Sequence, residues 1–280
     1  MGSPVSSNEL YFEVHAGNGP YLLLVHGILS SRAQWLLNLV ALSQVARPVV
    51  VELWGHGRSP APELAEPYRP EGYVRAFENI RHRLGVSEWL VCGQSLGAAL
   101  TLRYALDRPK SFIAHVITNS MSAFREIEDL EAAVKGANFF AERLLELGPE
   151  GLTKIPVHPI NARSLPKEVK EPLLEDCQAL NVLGVANTIR YTSAELSLLE
   201  ECEKNKVPTL LVCGQREKRF KPLRDYAEAR MPLLEIIDLD GGHAVNIDAA
   251  EAFNQAVTDF FLRIYNEKPK ALVESPLKGP

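Results

Sequence analysis

The hydrophobic pattern of this chain is a series of short, unbroken apolar runs that end at glycines or polar turns. Tyr21-Leu22-Leu23-Leu24-Val25 stops at His26-Gly27, and Pro48 to Leu53 stops at Trp54-Gly55. Trp89-Leu90-Val91-Cys92 stops at Gly93, Phe112 to Thr118 at Asn119, Val207 to Cys213 at Gly214, and Leu233 to Leu239 at Asp240. Runs of this length without polar alternation predict strands buried on both faces. Leu10 to His15 alternates weakly before Gly17-Asn18-Gly19-Pro20, as an edge strand before a turn does.

Between the runs the period changes to that of helices. Ser30 and Ser31 are positioned to cap a helix running to about Val45. A second spans about Gly72 to Leu84, with Tyr73, Phe77, Ile80 and Leu84 on one face. Others cover Ala98 to Leu106, Pro222 to Arg230, and Asp248 to Tyr265, the last carrying Phe253, Val257, Phe260 and Phe261. Strand and helix in alternation predict an α/β fold, with a mostly parallel sheet and helices on both faces. The alternation fails from Ser122 to Lys206, where helical pieces over Ser122–Leu147, Pro166–Leu180 and Val182–Cys202 are punctuated by Pro156, Pro159 and Pro166. The expected organisation is therefore a core of residues 1–121 and 207–265, a helical cap inserted over 122–206, and a mobile polar tail over 266–280.

Composition narrows the function classes. The 280 residues are 46% apolar and 23% charged, enough to bury a sizeable core, with a formal net charge of −5. No basic cluster favours nucleic acid, and no apolar run approaches the length of a membrane span. Met1 to Asn8 is polar and lacks the apolar region of a signal peptide, so a cytoplasmic location is expected. Cys92, Cys177, Cys202 and Cys213 form no C-x-x-C pair, which points to reduced thiols rather than disulfides or a zinc site. Neither metal nor cofactor is expected.

The chemistry centres on Gly93-Gln94-Ser95-Leu96-Gly97, between a predicted strand and a predicted helix. That context turns G-x-S-x-G into a nucleophile elbow, in which a tight turn lifts the serine hydroxyl above the sheet edge. Glu217 and His243 follow later strands, in the chain order serine, acid, histidine of one triad class. Ser95 is the candidate nucleophile, His243 the base that takes its proton, and Glu217 the carboxylate that orients the imidazole. A solvated glutamate within the charged run Arg216 to Arg219 is the competing reading of Glu217. Asp240 is too close to His243 along the chain, Asp225 lies in the following helix, and Asn119 is not ionisable. The amides of Ile28 and Leu96 are the candidate oxyanion donors. Gly27 permits close approach to the site, and His26 and His56 read as braces of their loops. His15, His82, His115 and His158 have no supporting context.

Together His26-Gly27, Gly55-His56-Gly57-Arg58-Ser59, Gly93-Gln94-Ser95-Leu96-Gly97 and Gly242-His243 resemble the α/β-hydrolase fold superfamily, over about residues 10 to 265 apart from the cap. The resemblance implies the triad and oxyanion roles above. It also implies an acid after the family's seventh core strand, where Glu217 stands in place of the more usual Asp. Ser95 argues against the haloalkane dehalogenases and epoxide hydrolases, whose nucleophile is Asp. Ala244 stands where C–C hydrolases often have Trp, and Ala99 where menaquinone-pathway relatives have Arg. His243-Ala244-Val245-Asn246-Ile247-Asp248 is more similar to small esterases and enol-lactone hydrolases. The implied reaction is hydrolysis of a small-molecule ester or lactone. C–C bond hydrolysis or acyl transfer on the same triad is the alternative, and a non-catalytic ligand-binding relative is a third reading. Phe124, Phe139, Phe140 and Leu144 are candidate pocket residues, although an amphipathic helix packing on the core gives the same pattern. Arg125, Arg163 and Arg190 are candidate contacts for a substrate carboxylate, against a bland reading as solvated side chains.

Overall fold

A computed structural model of the chain describes residues 9–162 and 165–267. The apolar runs form the strands β1 (Phe12–Val14), β2 (Tyr21–Val25), β3 (Arg47–Val51), β4 (Trp89–Gly93), β5 (Phe112–Thr118), β6 (Thr209–Gly214) and β7 (Leu234–Leu239). They make one sheet in the order β1-β3-β2-β4-β5-β6-β7. β1 pairs antiparallel with β3 at one edge, and every other neighbouring pair is parallel. The weakly alternating run is thus an edge strand, as its pattern predicts.

The runs lack alternation because both faces of the sheet are covered. Leu23, Val25, Val49, Val51 and Val91 point to one face and pack against Tyr73 and Phe77 of the Pro70–Arg83 helix and Leu100 of the Leu96–Asp107 helix. Leu22, Leu24, Val50, Leu90 and Cys92 point to the other, where Trp35 and Phe253, Val257 and Phe261 of the Ala250–Glu267 helix cover them. Each such side chain withdrawn from water contributes roughly 1.5–3 kcal/mol.

The predicted helix from Ser30 to Val45 is instead two short pieces, a 3₁₀ turn over Arg32–Trp35 and an α turn over Leu39–Leu42. The Ser31 hydroxyl does cap the first, accepting from Ala33 N–H at 3.1 Å. The break has an identifiable cause in Asn246, which follows β7. Its Nδ2 donates to the Gln34 carbonyl at 2.9 Å, so Asn38 N–H turns to Trp35 O instead. Asn246 Nδ2 also donates to Asn38 Oδ1, and Asn38 Nδ2 to Asn246 O and Asn254 Oδ1. This buried amide cluster ties the segment after β2 to the segment after β7.

Between β5 and β6 the described chain is helical, as expected, but in shorter pieces. The Ser122–Leu147 prediction splits into Met121–Phe124 and Leu130–Leu147, because the Asp129 side chain starts a new helix by accepting from Ala132 N–H. The later pieces are Pro149–Thr153, a 3₁₀ turn over Pro159–Asn161, Lys167–Cys177, Val182–Asn187, a π-helical turn over Thr188–Ser193, and Glu201–Lys204. The segment is fastened over the sheet edge by Asn181 N–H donating to Gly55 O at 2.9 Å and by Ser31 Oγ–H donating to Asp176 at 2.6 Å. The last helix runs to Glu267, two residues beyond its expected end, and residues 268–280 of the expected tail lie outside the described residues. No described helix is long and apolar enough to cross a membrane. The cysteines are free thiols, with Cys92, Cys202 and Cys213 buried and Cys177 partly exposed.

The amide cluster generates a stability prediction. Asn246→Ala strands the Gln34 carbonyl, Gln34 Nε2 and Asn38 Oδ1, and each buried polar group left unpaired costs about 1–3 kcal/mol. Urea unfolding should show the midpoint lowered accordingly. An unchanged midpoint would contradict the role given to this cluster.

Candidate active site

The C-terminal ends of β2, β4, β6 and β7 share one edge of the sheet, where parallel α/β folds bind ligands. Ser95 follows β4 at φ 55° and ψ −116°, in the left-handed half of the map where a side chain is strained. The turn holds because the two flanking glycines leave no room for a side chain. A Cβ on Gly93 would lie 2.4 Å from Gly97 O, and one on Gly97 2.2 Å from Val25 O. The Leu96–Asp107 helix begins directly after the serine.

The structure brings together the three residues singled out after β4, β6 and β7. His243 Nδ1–H donates to Glu217 Oε2 at 2.9 Å. That bond leaves Nε2 as the acceptor for the Ser95 hydroxyl, 2.8 Å away. Glu217 follows β6, the sixth strand of this chain, and its side chain is only 7% exposed, so it is not part of a solvated charge run. Burial raises its pKa, but the hydrogen bond and charge of His243, then Asn119 and Arg219, outweigh it and hold the carboxyl below its ordinary value.

Asn119, set aside in the sequence because it cannot ionise, is part of this arrangement. Its Nδ2 donates to the same Glu217 Oε2 at 3.0 Å and to Gly214 O at 3.0 Å, while its Oδ1 accepts from Gly214 N–H at 2.9 Å. Its place at the end of β5, beside β6, was the available signal. The rejected acids stand apart from the imidazole: Asp225 pairs with Lys221 on the surface, and Asp240 faces Arg216. Asp248 has a different task, accepting from Gly242 N–H at 2.7 Å and so fixing the turn that carries His243.

Two buried imidazoles shape the loop opposite Ser95. His26 Nδ1–H donates to Gly27 O at 2.7 Å, and its Nε2 accepts from Leu53 N–H. His56 Nδ1–H donates to Trp54 O, and its Nε2 accepts from Leu29 N–H at 3.1 Å. Both are braces, as the sequence suggests. Leu29 N–H is engaged by His56, whereas Ile28 N–H, one residue nearer Gly27, has no acceptor among the described residues. Leu96 N–H, at the first residue of its helix, likewise has no intrahelical acceptor. Gly27 is needed for contact with the elbow itself, since a Cβ there would lie 2.6 Å from Gln94 Oε1 and 3.0 Å from Ser95 Cβ.

A cavity of about 320 Å³ opens onto Ser95 and His243. Its outer wall comes from Pro156, Val157, His158, Pro159, Leu165 and Leu173, not from the expected phenylalanines. Phe139 and Phe140 are 72% and 47% exposed, while Phe124 and Leu144 are buried in packing clusters. The Leu130–Leu147 helix turns Ala141 and Leu144 toward Val185 and Ala186, which directs its phenylalanine pair outward. Arg125 donates to Ala194 O and Arg190 faces Glu142, and neither lines the cavity. Arg163 lies outside the described residues.

The family profile of the α/β-hydrolase fold matches residues 20–250. The chain belongs to the α/β-hydrolase fold family. Among solved structures it is similar to MenH from S. aureus, with a TM-score of 0.80 at 17% identity, covering 91% of this chain and 99% of that one. It is also similar to the enol-lactonase from Burkholderia xenovorans LB400, with a TM-score of 0.68 at 20% identity, covering 90% and 96%. At such identities the likeness is one of fold. A curated relative, 1-acylglycerol-3-phosphate O-acyltransferase of Arabidopsis thaliana, is 26% identical over 89% of this chain and 68% of its own length.

The buried histidines set a pH dependence. Burial, and for His26 also the neighbouring His56, lowers His26 to about 3, His56 to about 4 and His115 to about 3. In the unfolded chain each takes a proton near pH 6.5. Their neutral burial therefore adds full stability above about pH 6.5, and stability falls as the pH drops toward the folded values. The Tm should decline from pH 7 to pH 5, and His115→Gln should make the decline shallower. A Tm independent of pH over that range would contradict this account.

Proposed function

We propose that this chain is a serine hydrolase that cleaves a carboxylic ester or lactone through an acyl-enzyme. The carrying observation is the hydrogen-bonded line from Glu217 through His243 to Ser95, with links of 2.9 and 2.8 Å. Ser95 Oγ attacks the carbonyl carbon as its proton passes to His243 Nε2. The oxygen that becomes negative accepts from the amides of Ile28 and Leu96. Glu217 stabilises the imidazolium and Asn119 holds Glu217 in place. The tetrahedral species collapses, the C–O bond to the alcohol breaks, and His243 Nε2–H protonates the departing oxygen. Water then enters, gives its proton to His243 and releases the acid and the serine.

In this reading residues 122–206 act as a cap over the core of residues 1–121 and 207–265, and the cap selects the substrate. The small, largely apolar cavity suits a small-molecule ester or lactone. A second reading, acyl transfer to an alcohol in place of water, draws on the acyltransferase name of the plant relative. Product analysis with an added alcohol separates the two, since transfer yields a new ester and hydrolysis the free acid.

Mixing with a short-chain nitrophenyl ester should give a burst of nitrophenol followed by steady turnover. Ser95→Ala should lower kcat at least about 10⁴-fold, and Glu217→Gln roughly 10³–10⁴-fold by losing the required imidazole tautomer. Full activity in Ser95→Ala would overturn the assignment, and a near-neutral Glu217→Gln would remove that residue from the triad.

A further inference from the structure

His158 is out of place in the wall it occupies. It stands between Val157 and Pro159 in the outer face of the cavity, among residues that are otherwise apolar, and is only 5% exposed. A buried imidazole in an apolar wall is a cost unless its polar atoms are used. One of them is used locally: Nδ1 accepts from Ile160 N–H at 3.2 Å, capping the turn over Pro159–Asn161. That bond assigns the ring hydrogen to Nε2, and no described residue accepts it. Burial pushes the His158 pKa below its ordinary value, which keeps the ring neutral and Nε2 a donor near neutral pH.

The turn holding the ring is fixed from several sides. His158 N–H donates to Ile155 O at 2.9 Å, and Asn161 N–H donates back to His158 O at 2.9 Å. Asn161 Nδ2 ties Thr153 O and Ile155 O into the same turn. A donor held this rigidly loses little entropy on binding a ligand. Other polar groups of the cavity are already committed, since Ser30 Oγ–H donates to Gln34 and Gln34 Nε2 to Asn246.

We propose that His158 is a specificity-determining residue whose Nε2–H donates to an acceptor oxygen of the substrate, a few bonds from the scissile carbonyl. The preferred substrate class is then an ester or lactone bearing a second oxygen, as a ketone, ether or hydroxyl, over a hydrocarbon ester of the same shape. This inference rests on the serine-hydrolase reading and names the substrate class of that same site. Discrimination arises because a hydrocarbon analogue seated in the cavity covers this donor without pairing it, whereas the oxygen analogue satisfies it.

The test pairs nitrophenyl esters that differ by one CH₂-to-O exchange. The 3-methoxypropanoate, 4-methoxybutanoate and 5-methoxypentanoate esters are compared with the pentanoate, hexanoate and heptanoate esters. Each kcat/KM is divided by the ester's rate with hydroxide. The wild-type chain should favour the oxygen ester in at least one pair by roughly tenfold, the value of one hydrogen bond to a donor that the bound ester covers. His158→Asn can keep the cap on Ile160 N–H with its shorter side chain while withdrawing the donor, and His158→Phe removes both. Both variants should bring the ratio to about one. A ratio within one variant is independent of how much of that protein is folded, so a purely structural role leaves it unchanged. A wild-type ratio near one in every pair, or an unaltered ratio in His158→Asn, overturns the inference while leaving the hydrolase reading intact. Retention of turnover of both esters in Ser95→Ala overturns that reading and this inference with it.

Discussion

A serine held at φ 55° and ψ −116° is not at rest in an unconstrained chain. Such a conformation costs about 1–3 kcal/mol and persists only where the surroundings leave no alternative. Here the surroundings are β4, buried along its whole length, and a helix that begins at Leu96, three residues past Gly93, and covers the sheet. Gly97 lies against the backbone of β2 so closely that even a methyl group is excluded. The strain at Ser95 is therefore sustained by packing of the core, and it aims the hydroxyl at the sheet edge where β2, β6 and β7 also end. The rest of the site depends on that one direction.

Long-range contacts complete it. Ser95 and His243 are 148 residues apart in sequence and 2.8 Å apart in space. The imidazole arrives by way of Asp248, which pins Gly242, and of Gln94, whose Nε2 donates to His243 O at 3.3 Å. Glu217 is turned toward the imidazole by Asn119 at the end of the neighbouring strand. Across the gap, His56 holds the Leu29 amide and leaves the Ile28 amide available. Glu217, His243 and Ser95 are thereby joined in one continuous hydrogen-bonded line.

The sheet was legible in the sequence because burial on both faces writes a simple pattern. Val91 and Cys92 are both apolar because one faces the Leu96–Asp107 helix and the other the Ala250–Glu267 helix. The elbow was legible because its two glycines answer local steric demands. The details that escaped depend on partners far away in the chain. The break in the expected helix after Ser31 is imposed by Asn246, some 212 residues from Gln34, and no local propensity reports it. Asn119 carries no charge to mark it as a neighbour of an acid. Phe139 and Phe140 had the right spacing for a cavity wall, but spacing does not say which side of a helix another element covers. The wall was supplied by the proline-bearing stretch around His158, which has no periodicity to read.

The arrangement makes one claim above the others: that the Ser95 oxygen is activated as a nucleophile by His243. Intact-mass spectrometry after treatment with a fluorophosphonate, followed by peptide mapping, tests it most directly. The account predicts a single phosphonyl adduct on Ser95 in the wild-type chain, and strongly slowed adduct formation in His243→Ala. Absence of the adduct, or its appearance on another residue with Ser95 unmodified, would contradict it.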